Sequence, residues 1–262
     1  WLKQILTVKR ADLNWMVGWY NATADASKIT LQDFWGGSLE VSASPAIPPA
    51  YTRGGGKEIR AFLAEIEAAL SEPIVIAEQK TAFETWYRKR YIDAWQSFVG
   101  AFPRGRERLN GREEWQTTAV AMGTDRGPYQ AFINRMTVEL AAFTSGEGQP
   151  AWLRLANTYG VIRSAARASA DEQKAGLVSR AIEKGGQIFS VIGSGKDKDS
   201  EENRLASVKV GIQAQREYQG ALVEISSRAA SRKEAYHMTA AVFNEDAVTS
   251  ASPFYKASAA GS

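Results

Sequence analysis

The sequence predicts an all-α protein, a multi-helix bundle with room for two helical subdomains, and three observations carry that prediction. Apolar residues recur at helical spacing over long stretches, strand-type alternation is confined to short isolated segments, and Pro and Gly gather in one irregular segment near 38–56. With 262 residues, 44% hydrophobic and 23% charged, the chain has the composition of a folded globular protein and enough apolar surface to build a core.

Taken in order, residues 1–56 are expected to form an N-terminal helix plus an irregular connection packed on the main body. Trp1, Trp15, Trp19 and Trp35 cluster early among eight tryptophans, and buried packing or a protein interface is the expected use of such rings. Val8, Ile29, Leu31, Leu39 and Val41 sit in short segments suited to edge pairing, without the regular spacing of a sandwich or barrel. Pro45, Pro48, Pro49 and Gly54-Gly55-Gly56 disfavour helix, so an extended or turn-rich connection is expected through Gly56.

From Lys57 to Leu70, Ile59, Phe62, Leu63, Ile66 and Leu70 line one side of a helix. Phe83, Trp86, Tyr87, Tyr91, Ala94, Trp95 and Phe98 do the same from about Gln79 to Ala101, which marks this helix as a central beam needing several neighbours to cover its rings. Asn110-Gly111-Arg112-Glu113 has the spacing of a capping box, predicting a helix that runs to about Met122. Gly123 and Gly127-Pro128 then punctuate the chain before the amphipathic run Tyr129, Phe132, Ile133, Met136, Leu140 and Phe143.

Further helices are expected near Ala151–Ala168, Asp171–Phe189, Ser200–Arg232 and Lys233–Val248. The polar stretch Gly193 to Ser200 reads as a loop or subdomain boundary, and the tail Ser250 to Ser262 is expected to fray. The expected partition is therefore 1–56, a helical subdomain over 57–192, and long C-terminal helices over 193–262.

Charge argues against a strongly basic partner surface. Net charge is +3, from 32 Lys and Arg against 29 Asp and Glu, and bases are interleaved with acids apart from Arg88-Lys89-Arg90 and Arg104 to Arg108. No window approaches eighteen apolar residues, so no transmembrane segment is expected in this stretch. The chain opens on Trp1 without a leader pattern, which reads as a stretch cut from something longer.

The inventory for chemistry is sparse. No cysteine is present, which excludes disulfides, thiolate metal sites and thiol nucleophiles, and His237 is the lone histidine. His237 lies beside Tyr236 and Met238 in a predicted helix and is expected to be a packing or surface residue. Asp197, Asp199, Glu201 and Glu202 lack the glycine turn and closing Glu of a calcium loop. Gly195-Lys196 and Gly56-Lys57 each miss two positions of a phosphate loop, having Ser190 and Tyr51 where its first glycine belongs and Asp197 and Glu58 after the lysine. No catalytic, cofactor-binding or metal-ligating residue is expected, no cofactor, and no small-molecule substrate. Trp86-Tyr87-Arg88-Lys89-Arg90-Tyr91 could stack single-stranded bases, although aromatics at helical spacing belong more often to a core.

Two further stretches resemble a known family. Asp33-Phe34-Trp35-Gly36-Gly37 is followed by Ile47-Pro48-Pro49-Ala50-Tyr51-Thr52-Arg53-Gly54-Gly55 and an amphipathic helix. Together these are similar to the periplasmic region of IcmF/TssM proteins of type VI secretion systems, where a Tyr/Phe-Thr-x-x-Gly turn opens a long helix. Tyr91 and Trp95 match that family's Tyr-x-x-x-Trp segment, and Gly127-Pro128-Tyr129 its Ser-Pro-led helix, with Gly127 in place of serine. The resemblance spans about Leu31 to Leu140 and singles out Tyr51, Thr52, Gly55, Tyr91, Trp95 and Pro128 as a structural motif.

What the resemblance implies is a non-catalytic scaffold, periplasmic as part of an inner-membrane-anchored protein. It would join a TssJ-like outer-membrane lipoprotein to a TssL-like inner-membrane subunit, with self-association open and no nucleic acid bound. The β-rich lipoprotein-binding ending of that family is not visible in this stretch. The alternative is a nucleic-acid-binding helical module using Arg88 to Tyr91 and Arg104 to Arg108; a third class is an enzyme built from carboxylates and arginines that the fold brings together.

Overall fold

The computed structural model describes residues 12–23, 27–70, 76–143, 149–170, 199–243 and 252–261. These residues form ten α-helices, three short 3-10 segments and a single two-stranded pairing, an all-α architecture as the periodicity predicts. They divide into two compact units, 1–110 and 111–262.

In the first unit, α1 (Trp15–Thr23) precedes β1 (Ile29–Thr30), the short α2 (Gln32–Trp35) and β2 (Ala46–Ile47). The strands are antiparallel, with Ile29 opposite Ile47, so the expected edge pairing reduces to two residues a side. Asp33 fixes the entry to α2 by accepting from the Thr30 amide at 2.6 Å and its hydroxyl at 3.1 Å. A 3-10 turn (Pro49–Tyr51) leads into α3 (Arg53–Ala68), then α4 (Ala77–Ala101) and a 3-10 segment (Phe102–Arg108).

The glycine triplet departs from expectation. Gly54, Gly55 and Gly56 lie inside the first turn of α3, where an extended or turn-rich connection was predicted. The helix can begin there because Thr52, in extended conformation, accepts the Gly55 amide on its hydroxyl oxygen at 3.1 Å and so satisfies one of the open donors of the first turn. The expected 56/57 boundary thus falls within one helix, and the division comes at Asn110/Gly111.

Packing explains that division. Buried Ile59, Leu63 and Ile66 of α3 share a core with Leu13 and Met16 near α1 and with the ring stripe of α4. Lys80 of α4 also donates to Glu67 of α3 at 2.9 Å. An amphipathic helix that packs on α1, with Phe62 against Trp15 and Trp19, and on the 49–51 turn belongs with the N-terminal elements.

In the second unit, α5 (Gly111–Ala121), α6 (Pro128–Glu139), a 3-10 segment (Ala141–Phe143), α7 (Ala151–Ala170), α8 (Asp199–Ala229), α9 (Arg232–Phe243) and α10 (Pro253–Gly261) follow in order. The 31-residue α8 is the hub, and α5, α7, α9 and α10 all pack against it. Gly211 lets α7 come close, since a Cβ there would meet Ile162 Cδ1 at 2.9 Å.

Within the tail that was expected to fray, Pro253–Gly261 form a helix. Pro253, buried, starts α10 at the position where a missing N–H costs nothing, and Lys256 pairs with Glu224 of α8 at 3.6 Å. A helix of mostly small residues is held here by packing on α8 rather than by its own propensity. The helix expected near Asp171–Phe189, the loop from Gly193 and the 192/193 boundary lie outside the described residues.

Candidate functional site

Five of the six motif residues meet in one cluster of the first unit. Asn21 of α1 accepts the Ala50 amide at 2.9 Å, which sets the 3-10 turn on the N-terminal helix. From the other side α4 reaches the same turn with two side chains: the Tyr87 hydroxyl donates to the Ala50 carbonyl, and Trp95 Nε1 donates to the Tyr51 carbonyl at 3.0 Å. Tyr51 lies between them, its ring 5.9 Å from Tyr87 and 6.1 Å edge-on from Tyr91. Tyr91 and Trp95 are fully buried.

Thr52 closes the arrangement. Its hydroxyl donates to the Pro49 carbonyl at 2.8 Å while accepting from Gly55. A Cβ at Gly55 would collide with the Pro49 carbonyl, so glycine there is a packing requirement. The result is an aromatic clasp in which α4 holds the backbone of the turn from which α3 departs. Burial pushes the Tyr87 hydroxyl well above the ordinary phenol range, and that of Tyr51 upward more weakly, with Arg90 opposing and Asp93 reinforcing the shift. A hydroxyl held neutral as a donor, as that of Tyr87 is, suits structure rather than acid–base work.

Pro128 is not part of the clasp. It stands at the first turn of α6 in the second unit, buried, after Gly127 in extended conformation. Tyr87, absent from the six, is a principal arm of the clasp; its place on the ring stripe of α4 was the available signal.

The basic runs are dispersed. Lys89 pairs with Asp93 at 2.7 Å, Arg90 lies over the Trp86 ring at 5.9 Å, and Arg104 faces Glu107 at 3.6 Å. Arg108 is buried and donates to the Gly36 and Gly37 carbonyls at 2.7 and 3.3 Å, closing the Asp33–Gly37 run onto the 3-10 segment after α4. His237 is exposed on α9 beside Tyr236. Gly56-Lys57 lies in the first turns of α3, and Gly195-Lys196 with Asp197 falls outside the described residues. Among the described residues, no group of three His, Cys, Asp or Glu is placed to hold a metal ion, and no helix is long and apolar enough to cross a membrane.

No protein-family model matches this chain, and neither a curated protein nor a solved structure matches it.

The second unit holds a different constellation, one that motif reading missed. The turn after α5 is bound to α8 through Gly123: its amide donates to Ser226 Oγ at 2.9 Å, and its carbonyl accepts from Gln219 Nε2 at 2.6 Å. Beside it opens a cavity of about 620 Å³, lined by Gly123–Asp125, by Arg163 and Ala166 of α7, and by a stripe of α8 from Gln215 to Val223. Arg163 is 5% exposed and donates to Asp125 at 2.6 Å and to Asn134 of α6. Burial lowers its pKa, against a raising contribution from Tyr159. Periodicity carried no signal for Arg163, since a polar residue buried on a helix reads in sequence like a solvated one.

Proposed function

We propose that this chain is a non-catalytic helical scaffold segment, of the kind found in the periplasmic part of a type VI secretion membrane complex. In that reading it bridges inner- and outer-membrane components through protein contacts, with a TssJ-like lipoprotein and a TssL-like inner-membrane subunit as partners and self-association open to it. It would be periplasmic, as part of an inner-membrane-anchored protein.

The observation that carries the reading is the clasp. The residues that resemble the family motif, Tyr51, Thr52, Gly55, Tyr91 and Trp95, converge on one turn and fix the start of a 16-residue helix. The polar side-chain atoms of Thr52 and Trp95 are spent on backbone groups of the turn, which is the chemistry of a rigid joint. A helix launched in a fixed direction is what a spacer between two membranes needs.

The test is cross-linking and co-purification of the chain with the lipoprotein and inner-membrane subunit from cells that assemble the complex. The expected result is recovery of both partners, with the yield lost on disrupting the clasp by Trp95→Ala. A chain that stays monomeric, and whose deletion leaves complex assembly intact, overturns the reading. Salt-dependent retention on oligonucleotides would replace it with the nucleic-acid alternative.

A further inference from the structure

The first unit holds a feature that a rigid joint does not use, a buried cation without a counter-ion. Arg108 is 9% exposed and is the buried charged side chain of that unit among the described residues. Its Nε and Nη2 donate to the Gly36 and Gly37 carbonyls, and it makes no ion pair among the described residues. Carbonyl dipoles solvate a guanidinium in part, whereas a buried charge is ordinarily matched by an opposite one. Donors also remain, since Nη1 makes no hydrogen bond among the described residues. Nη1 is not among the fully enclosed polar atoms that lack a partner, so it has an open side.

Arg108 lines a cavity of about 470 Å³ bordered by the approach to β1, by α2 and by the loop that leads into β2. Its walls are mostly polar. Lys28, Gln32 and Ser44 line it from three separate segments, and none of their side chains makes a hydrogen bond or ion pair among the described residues. Glu40 is the carboxylate among the described lining residues, exposed and likewise without an ion pair. Lys28 and Arg108 contribute +2 and Glu40 −1, a balance of +1 that leaves the buried charge unanswered. The loop is held in an uncommon shape: Ala43, next to Ser44, has a φ of 50°, which a side chain rarely adopts.

We infer that this cavity binds a tetrahedral oxyanion, phosphate or the phosphoryl group of a small phosphomonoester, with Arg108 as its counter-ion and Lys28, Gln32 and Ser44 as further donors. A phosphoryl group carries more acceptor oxygens than a carboxylate, which one planar fork can satisfy, and so suits donors that arrive from separate segments. The cavity exceeds what an inorganic ion fills, which leaves a polar wall for the rest of a phosphomonoester. The site is independent of the scaffold reading, since none of these residues belongs to the clasp.

The test is calorimetric titration of the 262-residue chain in low-salt buffer with phosphate, glycerol 3-phosphate, acetate and chloride. Phosphate and glycerol 3-phosphate are expected to bind saturably, and the tighter of the two names the source, free ion or ester. Acetate and chloride should be at least about tenfold weaker. Arg108→Gln should lose the binding; because Arg108 also holds the Gly36 and Gly37 carbonyls, two variants of exposed residues keep the test independent of folding. Lys28→Gln should weaken phosphate and Glu40→Gln should tighten it, each by about two- to fivefold, with the ligand-free melting temperature unchanged. Absence of saturable phosphate binding overturns the inference, as does equal affinity for acetate or chloride, or wild-type affinity in both Lys28→Gln and Glu40→Gln.

Discussion

The two units solve the same local problem, fixing a turn against a long helix, with opposite materials. In the first, α4 grips the 49–52 turn with Tyr87 and Trp95, side chains that bury large rings and spend one polar atom each on a backbone carbonyl. In the second, α8 grips the turn after α5 with Ser226 and Gln219, which bind the amide and carbonyl of Gly123 and bring little apolar area. The interiors follow suit. Arg108 is the buried charged or polar residue of the first unit, whereas Gln130, Glu139, Asn157, Arg163, Gln215 and Ser226 all lie in the second, among the described residues. An aromatic grip excludes water and makes a stiff joint; a polar grip leaves a lined cavity beside it. The aromatic joint and the cavity beside the polar grip thus lie in different units.

Truncating the aromatic grip should have the largest effect. Trp95→Ala empties a fully buried ring site and is expected to cost about 3–5 kcal/mol in denaturant unfolding. Next comes Gly55→Ala, which drives a Cβ into the Pro49 carbonyl and should cost about 1–3 kcal/mol by overpacking. A loss near zero there would mean that α3 can shift away from the turn. The polar grip is tested by Ser226→Ala, which leaves the buried Gly123 amide without its acceptor and should cost about 1–2 kcal/mol. Thr52→Ala removes a helix cap, for about 1 kcal/mol, and Thr52→Ser should restore most of it.

The smallest effect is electrostatic. The folded-state pKa of Tyr87 lies above the ordinary phenol value of 10.0, so the folded state keeps a proton that the unfolded state releases first. Its contribution is present below pH 10 and lost as pH rises further, with Tyr51 and, in the second unit, Tyr218 acting in the same direction. Denaturant midpoints measured above pH 10 should therefore fall, and Tyr87→Phe should flatten that fall.

How far the sequence could be read follows from this contrast. Helical spacing located α3, α4 and α6 through their apolar stripes, a capping-box pattern located α5, which buries none of its residues, and α4 was legible as a beam because its buried rings, Phe83 to Phe98, recur at helical spacing. The glycine triplet misled, since propensity weighs Gly54–Gly56 as breakers, while the deciding facts are a cap at Thr52 and a carbonyl of Pro49 pressed against Gly55. The tail misled for the same reason, its helix being supplied by α8 from outside the local sequence. That Tyr51, Thr52, Gly55, Tyr91 and Trp95 converge on one turn, while Pro128 lies in the other unit, required coordinates. Arg163 and Gln215 were not legible at all, because a buried polar residue and a solvated one look alike in a single sequence.

Hydrogen exchange reads the central claim, that α4 holds the turn which launches α3, most directly. Trp95→Phe keeps a ring in the core but removes the indole donor to the Tyr51 carbonyl. The amides of Gly55 and Gly56 should then exchange about tenfold faster, the equivalent of about 1.4 kcal/mol, with the α8 amides of the second unit unchanged. Wild-type protection at Gly55 and Gly56 in that variant would contradict the clasp.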